Sequence, residues 1–173
     1  QWTVTGSGAA VLSASGGGPR VTHVTTGKIL DMGVKDANNM GGAMAPAAFE
    51  TMRAHFQDLG KGPADYDLIL TGDLGTVGRD ILIDLMEKEG YDISRNYKDC
   101  GCIIYDLEAQ DVHAGGSGCG CIGSTLCGYI LEQMKQGVWK NILAIGTGAL
   151  LSTTSSLQGE SVPGIAHAVA LTS

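Results

Sequence analysis

Residues 67–82 read DLILTGDLGTVGRDIL. Asp67 to Thr71 is a short, largely apolar run of the kind that fills a strand buried on both faces. Gly72 to Gly78 is a glycine-containing turn, and Arg79 to Glu89 places Ile81, Leu82, Leu85 and Met86 at helical spacing. A strand, a glycine turn and a helix in that order form the repeating unit of α/β proteins.

Working outward, the same alternation recurs. Downstream, Ile103 to Leu107 predicts a short strand, His113 to Gly123 a glycine-rich loop, Ser124 to Gln136 a helix stopped at Gly137, and Asn141 to Gly146 a second buried strand. Upstream, Pro46 predicts a helix start, with Phe49, Met52, Phe56 and Leu59 on one face and Gly60 as the stop. Before it, Trp2 to Ser13 and Arg20 to Thr25, separated by Gly16-Gly17-Gly18-Pro19, predict a strand, a turn and an antiparallel strand. Gly27 to Met44 has no sustained periodicity and reads as a long loop, a feature that is functional or lies at an interface when it occurs in a compact fold. The tail, Thr147 to Ser156 and Gly159 to Leu171, predicts two closing strands. The expected class is therefore α/β, a mixed, mostly parallel sheet with helices packed on it, and ligands in such sheets gather at the carboxyl ends of the strands.

Composition narrows the function. The 173 residues suffice for one core or for half of a larger fold. A net charge of -7 without a basic patch argues against nucleic acid as a partner. Apolar runs such as Ile142 to Ile145 and Ile165 to Leu171 are far shorter than the roughly 20 residues that span a bilayer, so no transmembrane segment is predicted. Five cysteines lack the spacing of a secreted disulfide framework and imply a reduced, intracellular setting. The chain begins at Gln1 inside an apparent strand, which implies that a segment precedes it.

The densest chemical signal is residues 111–121, DVHAGGSGCGC. Glycines leading into a helix offer free backbone N–H groups and the positive end of the helix dipole to an anion. Gly115, Gly116, Ser117, Gly118 and Cys119 are the candidate donors, and His113 at the loop mouth is a candidate proton-transfer or hydrogen-bonding group. The alternative is that the glycines only let a helix pack closely on its sheet. Gly118 to Gly123 also fits the dinucleotide fingerprint formally, but no acidic residue follows to take a ribose hydroxyl. Cys100-x-Cys102 and Cys119-x-Cys121 have the wrong spacing for structural zinc and read as small buried thiols, with Cys119 at the helix start the one open to reactivity. Asp73 ends a strand where α/β folds place functional groups, or else caps local backbone. Thr147 and Gly148, with Ala149, follow the last core strand and would complete a pocket with backbone donors. His23, His55 and His167 read as structural. There is no nucleophile elbow, P-loop or helical carboxylate pair with a His, so neither catalytic residues nor a metal or cofactor site is predicted.

In this order, the hairpin, a helix, residues 67–82, residues 111–121, a helix, residues 141–152 (NILAIGTGALLS) and a closing strand resemble the second half of the thiolase fold, as in ketoacyl synthases. The resemblance covers essentially the whole chain. The wording of residues 67–82, of the HAGGSGCGC loop and of residues 156–171 (SLQGESVPGIAHAVAL) is similar to the stage V sporulation protein AD family. That resemblance implies a C-terminal half of a thiolase-like layered fold, with 1–45 as the closing hairpin and long loop of the preceding half and 46–173 as the second repeat. In ketoacyl synthase III enzymes a Cys from the first half works with a His and an Asn from the second. Those positions correspond to about Gly72 and Asp73, and to about Gly115, so neither residue type is retained.

The resemblance further implies non-catalytic binding of dipicolinic acid (pyridine-2,6-dicarboxylate) for uptake into the developing spore and release in germination. Asp73, His113, Gly115, Gly116, Ser117, Gly118, Cys119, Thr147 and Gly148 are the expected ligand-binding residues. The implied partners are an N-terminal half, membrane-embedded sporulation proteins and a second copy in a homodimer, at the periphery of the spore inner membrane in sporulating cells. The rival readings are an acyl-transferring enzyme whose Cys lies in the first half, and a structural protein that docks through the Gly27 to Met44 loop. Because thiolase-like halves pack on one another, an exposed apolar face is expected.

Overall fold

The computed structural model describes residues 1–173. Its five-stranded sheet runs in the order β2 (Arg20–Thr25), β7 (Gly164–Thr172), β6 (Asn141–Ala149), β3 (Leu68–Thr71), β4 (Tyr97–Asp99). β3 is parallel to both β4 and β6, whereas β7 is antiparallel to β6 and to β2. Four strands therefore point one way and β7 alone is reversed, which is the mixed, mostly parallel sheet the sequence predicts.

Alternation along the central strands divides the core into two layers. Ile69, Leu143 and Ile145 face helices α1 (Met40–Leu59) and α2 (Gly75–Lys88), together with Met44, Met52, Phe56, Leu82 and Met86. Leu68, Leu70 and Ile142 face the opposite side, against Cys121, Ile130 and Met134. That second layer is one continuous helical stretch: α4 (Cys119–Ser124), a π-helical segment (Thr125–Ile130) and α5 (Leu131–Lys135). Ala166, Ala168 and Ala170 of β7 meet Ala45, Ala47 and Ala48, and these small side chains let α1 lie close to the sheet.

Several boundaries differ from expectation for identifiable reasons. The expected hairpin is absent: Arg20–Thr25 pairs with β7, and only Trp2–Thr3 of the first segment is a strand (β1), parallel to β5 (Gly116–Ser117). Trp2 donates to the Gly115 carbonyl at 2.9 Å and Val4 to that of Ser117 at 2.8 Å, so the exposed backbone of the glycine loop captures the strand. Gly6 and Gly8 then pass so close to Ser124 and Gly123 that a Cβ at either would clash. The first 45 residues therefore do not form a hairpin unit.

Pro46 lies inside α1 rather than at its start. The helix begins at Met40 because Asn39 Oδ1 accepts from the Gly42 N–H at 3.1 Å, an N-cap hidden in a glycine-rich run that reads as loop. Gly60 stops it as predicted, with the left-handed φ of 61°. The strand expected at Ile103 to Leu107 is instead the short β4 upstream, followed by helix α3 (Cys100–Ile103). In the tail, β6 continues to Ala149, and Thr153–Leu157 forms α6, leaving one closing strand rather than two.

His55 sits in the α1 layer, fully buried, with Nδ1 2.7 Å from Thr25 Oγ1 and Nε2 2.6 Å from Tyr66 Oη. Burial, reinforced by the nearby His23 and Lys61, pulls its pKa down to about 4. The unfolded chain then binds a proton that the folded one rejects, so stability is full above the ordinary His pKa of about 6.5 and is lost as pH falls toward 4. The whole protein is expected to lose up to about 3 kcal/mol across that window, and His55→Gln, which can still bridge Thr25 and Tyr66, to flatten the slope. Urea unfolding at a series of pH values reads this directly. Asp99, whose carboxyl is shifted upward by burial, acts in the opposite sense at the acid end, so the wild-type minus variant difference is the informative quantity.

Candidate functional site at the strand ends

Three loops converge at the carboxyl ends of β3 and β6 and the start of α4. Asp73, the second residue beyond β3, is 9% exposed and joins them. Its Oδ2 accepts from the Gly118 N–H at 2.7 Å, its Oδ1 accepts from Thr147 Oγ1 at 2.9 Å, and its own N–H donates to Thr147 Oγ1 at 3.1 Å. From β1's side, Gln1 Nε2 donates to the carbonyls of Asp73 and Gly116, both at 3.1 Å. The Gly118 backbone, at φ 91°, is the conformation that lets its N–H turn toward the carboxylate while the helix begins one residue later.

Beneath this lies a residue the sequence reading passed over. Asp99, at the end of β4, is 0% exposed. It accepts from Thr71 Oγ1 (2.7 Å), from the Leu74 N–H (3.0 Å) and from the Gly75 N–H (2.9 Å), while Tyr97 Oη lies 2.7 Å from the same Thr71 hydroxyl. It thus caps α2 and explains why that helix starts at Gly75, four residues before the expected Arg79. Desolvation, only partly offset by these hydrogen bonds, shifts its carboxyl upward, and burial likewise drives the Tyr97 phenol far up.

Of the expected site residues, the structure brings Asp73, Gly116, Ser117, Gly118 and Thr147 together. Gly115 belongs to the same loop through its carbonyl, but it packs on the Gly101 backbone. Gly148 continues β6 beyond Thr147 and is paired with Ile165. Cys119 is exposed at the first turn of α4. His113 stands apart. Its side chain is 69% exposed, its Nδ1 lies 3.4 Å from Asp111 Oδ1, and its φ of 53° holds it in the left-handed region.

The arrangement has a chemical consequence. The anion-binding end of α4 already holds a carboxylate, that of Asp73, so the glycine loop is not an open oxyanion cradle as the sequence suggested. No histidine hydrogen-bonds to Asp73 or Asp99, and both carboxylates act as acceptors for fixed donors. All five cysteines are free thiols. Burial pushes the Cys102 and Cys121 thiols up to about 12 and Cys100 higher still, which disfavours the thiolate at these three positions.

Residues 1–172 match the family model of stage V sporulation protein AD. Stage V sporulation protein AD of Bacillus subtilis (strain 168) is 46% identical over 167 residues, covering 96% of this chain and 49% of that protein. The chain thus spans about half the length of the curated relative it matches. Among solved structures, the 3-oxoacyl-[acyl-carrier-protein] synthase III from Aquifex aeolicus VF5 is similar at 19% identity, with a TM-score of 0.35, over 73% of this chain and 37% of that one.

Proposed function

The chain belongs to the stage V sporulation protein AD family, and from that premise we propose that it is the C-terminal half of a thiolase-like binding protein that holds dipicolinic acid without transforming it. The observation that supports this most directly is the state of Asp73. The one carboxylate at the mouth of the strand-end site is consumed by the Gly118 N–H and the Thr147 hydroxyl, leaving no acid–base pair in this half. The neighbouring Ser117 hydroxyl is the donor that this reading gives to a carboxylate ligand.

The remainder of the pocket comes from the N-terminal half. Val11, Leu12, Val21, Val24, Ile29 and Met32 are exposed, as are Leu150 and Leu157 beyond β6. A face of this kind is covered in the intact protein by that half, and by a second copy in a dimer. No helix is long and apolar enough to cross a membrane, so the proposed place at the spore inner membrane rests on membrane-embedded partners rather than on a span of this chain.

On this reading, the charge of Asp73 favours one form of the ligand. A free dianion beside it meets like charge, whereas the calcium chelate of dipicolinate is neutral. Calorimetric titration into the whole protein is expected to show saturable binding that calcium strengthens. Asp73→Asn should tighten binding of the metal-free dianion by about tenfold through removal of one nearby charge, and leave the chelate unaffected. Ser117→Ala should weaken both, and His113→Ala neither, because that side chain points to solvent. Absence of saturable binding with and without calcium sinks this reading and returns the question to acyl transfer, testable as turnover of acyl thioesters by the same protein.

A further inference from the structure

A cavity that shares no residue with the strand-end site opens between edge strand β4 and the α4 to α5 stretch. It encloses about 390 Å³ and is lined by Lys98 of β4, Ile103 and Ile104 after it, Ser124, Thr125, Gly128 and Tyr129 along the helix, and Trp139 ahead of β6. That volume is in the range of small-molecule sites, roughly 300–1,000 Å³.

Four features of this wall are independent of one another. Tyr129 and Trp139 stand edge to face, with ring centroids 6.1 Å apart and planes at 84°, forming an aromatic corner against which a flat apolar body can pack. Lys98 is the one cation of the lining, no acidic side chain accompanies it there, and its ammonium makes no ion pair. Thr125 is buried, and its hydroxyl lies against the Cys100 thiol and is closed off from the cavity, so the floor there offers a ligand no polar group. Of the residues that project here from the helix, Thr125, Gly128 and Tyr129 belong to its π-helical segment, a geometry that costs hydrogen-bond quality and recurs at functional sites.

We propose that this cavity binds a small amphipathic monoanion with a planar apolar body, an aryl or fused-ring monocarboxylate, with its rings against Trp139, Tyr129 and Ile104 and its carboxylate on Lys98. Dipicolinate is a poor match: it carries two flanking carboxylates, and the lining offers one cation between apolar walls.

The test uses 2-naphthoate as the probe, titrated calorimetrically into the whole protein. Saturable binding of one molecule per chain is expected, not displaced by dipicolinate. Gly128→Leu fills the space; a Cβ at Gly128 meets nothing within 4 Å, so the thermal midpoint should hold while affinity falls at least tenfold. Lys98→Gln should weaken binding about tenfold and Lys98→Arg should restore it, the magnitude of one charge-assisted hydrogen bond. Neutral 2-naphthylmethanol should bind about tenfold more weakly than the acid on the same grounds. No saturable binding, as when the other half of the protein already fills the cavity, overturns the proposal. So does binding that Gly128→Leu leaves unchanged, or that dipicolinate displaces.

Discussion

Asp99→Ala is expected to lower the unfolding free energy of the whole protein by about 3–5 kcal/mol, the cost of stripping a buried, fully engaged charged acceptor from its donors. The carboxylate accepts from Thr71 Oγ1 and from the N–H groups of Leu74 and Gly75, all in a region closed to water. Alanine leaves two backbone donors with nothing to bond and the Thr71 hydroxyl with Tyr97 Oη alone, since no water can replace the lost oxygens without a cavity rearrangement. Asp99→Asn should cost about half as much, because the amide oxygen can still serve one backbone N–H while its NH2 group faces another donor. The loss should also reach the strand-end site, for Leu74 adjoins Asp73 and the start of α2 sets where that loop turns. Denaturant unfolding of the three proteins decides it: an Asp99→Ala variant within about 1 kcal/mol of wild type would show that the network contributes little beyond the desolvation it must overcome.

The sequence disclosed the central unit because its physics is local. Ile69, Leu82 and Met86 lie at strand and helix periods that need no partner to be recognised, and Gly60 ends α1 by its own backbone freedom. What stayed hidden was decided by contacts distant in the chain. Trp2–Thr3 pairs with Gly116–Ser117 more than a hundred positions away, so the hairpin suggested by two adjacent β-rich runs never forms. β4 has three residues, too few to show alternation, so neither the strand nor its Asp99 is legible in the sequence. At the site, residue identity was legible but role was not. Asp73 and the glycine loop were found together, yet nothing in their spacing said that the carboxylate would fill the anion-binding position it neighbours. His113 drew attention by its chemistry, while the left-handed backbone that turns it outward leaves no trace in composition.

Gly78→Ala provides the second large effect, and its sign is the diagnostic part. Alanine is favoured over glycine within a helix by about 1 kcal/mol, so an unobstructed helical glycine gains stability on this exchange. Gly78 of α2 is obstructed: a Cβ there would stand 2.8 Å from both the Cα and the carbonyl oxygen of Gly41 in α1. These are backbone atoms, which cannot rotate aside, and the two helices must separate to admit the methyl group. The separation would disturb the packing of Met44, Leu74 and Leu82, all fully buried in the layer that the two helices share with the sheet. A net loss of about 2 kcal/mol is expected, with the overpacking cost exceeding the propensity gain, and Gly78→Val should lose more. Gly128→Ala is the matched control, since it too lies in a helical stretch and its Cβ meets open space; it should be neutral or stabilising. If both alanine variants gain stability, the α1 to α2 crossing is soft, and the placement of Asp73 at the turn between β3 and α2 cannot depend on it. If they move in opposite directions, the close approach of two glycines is what holds the start of α2, and with it the strand-end carboxylate, in place.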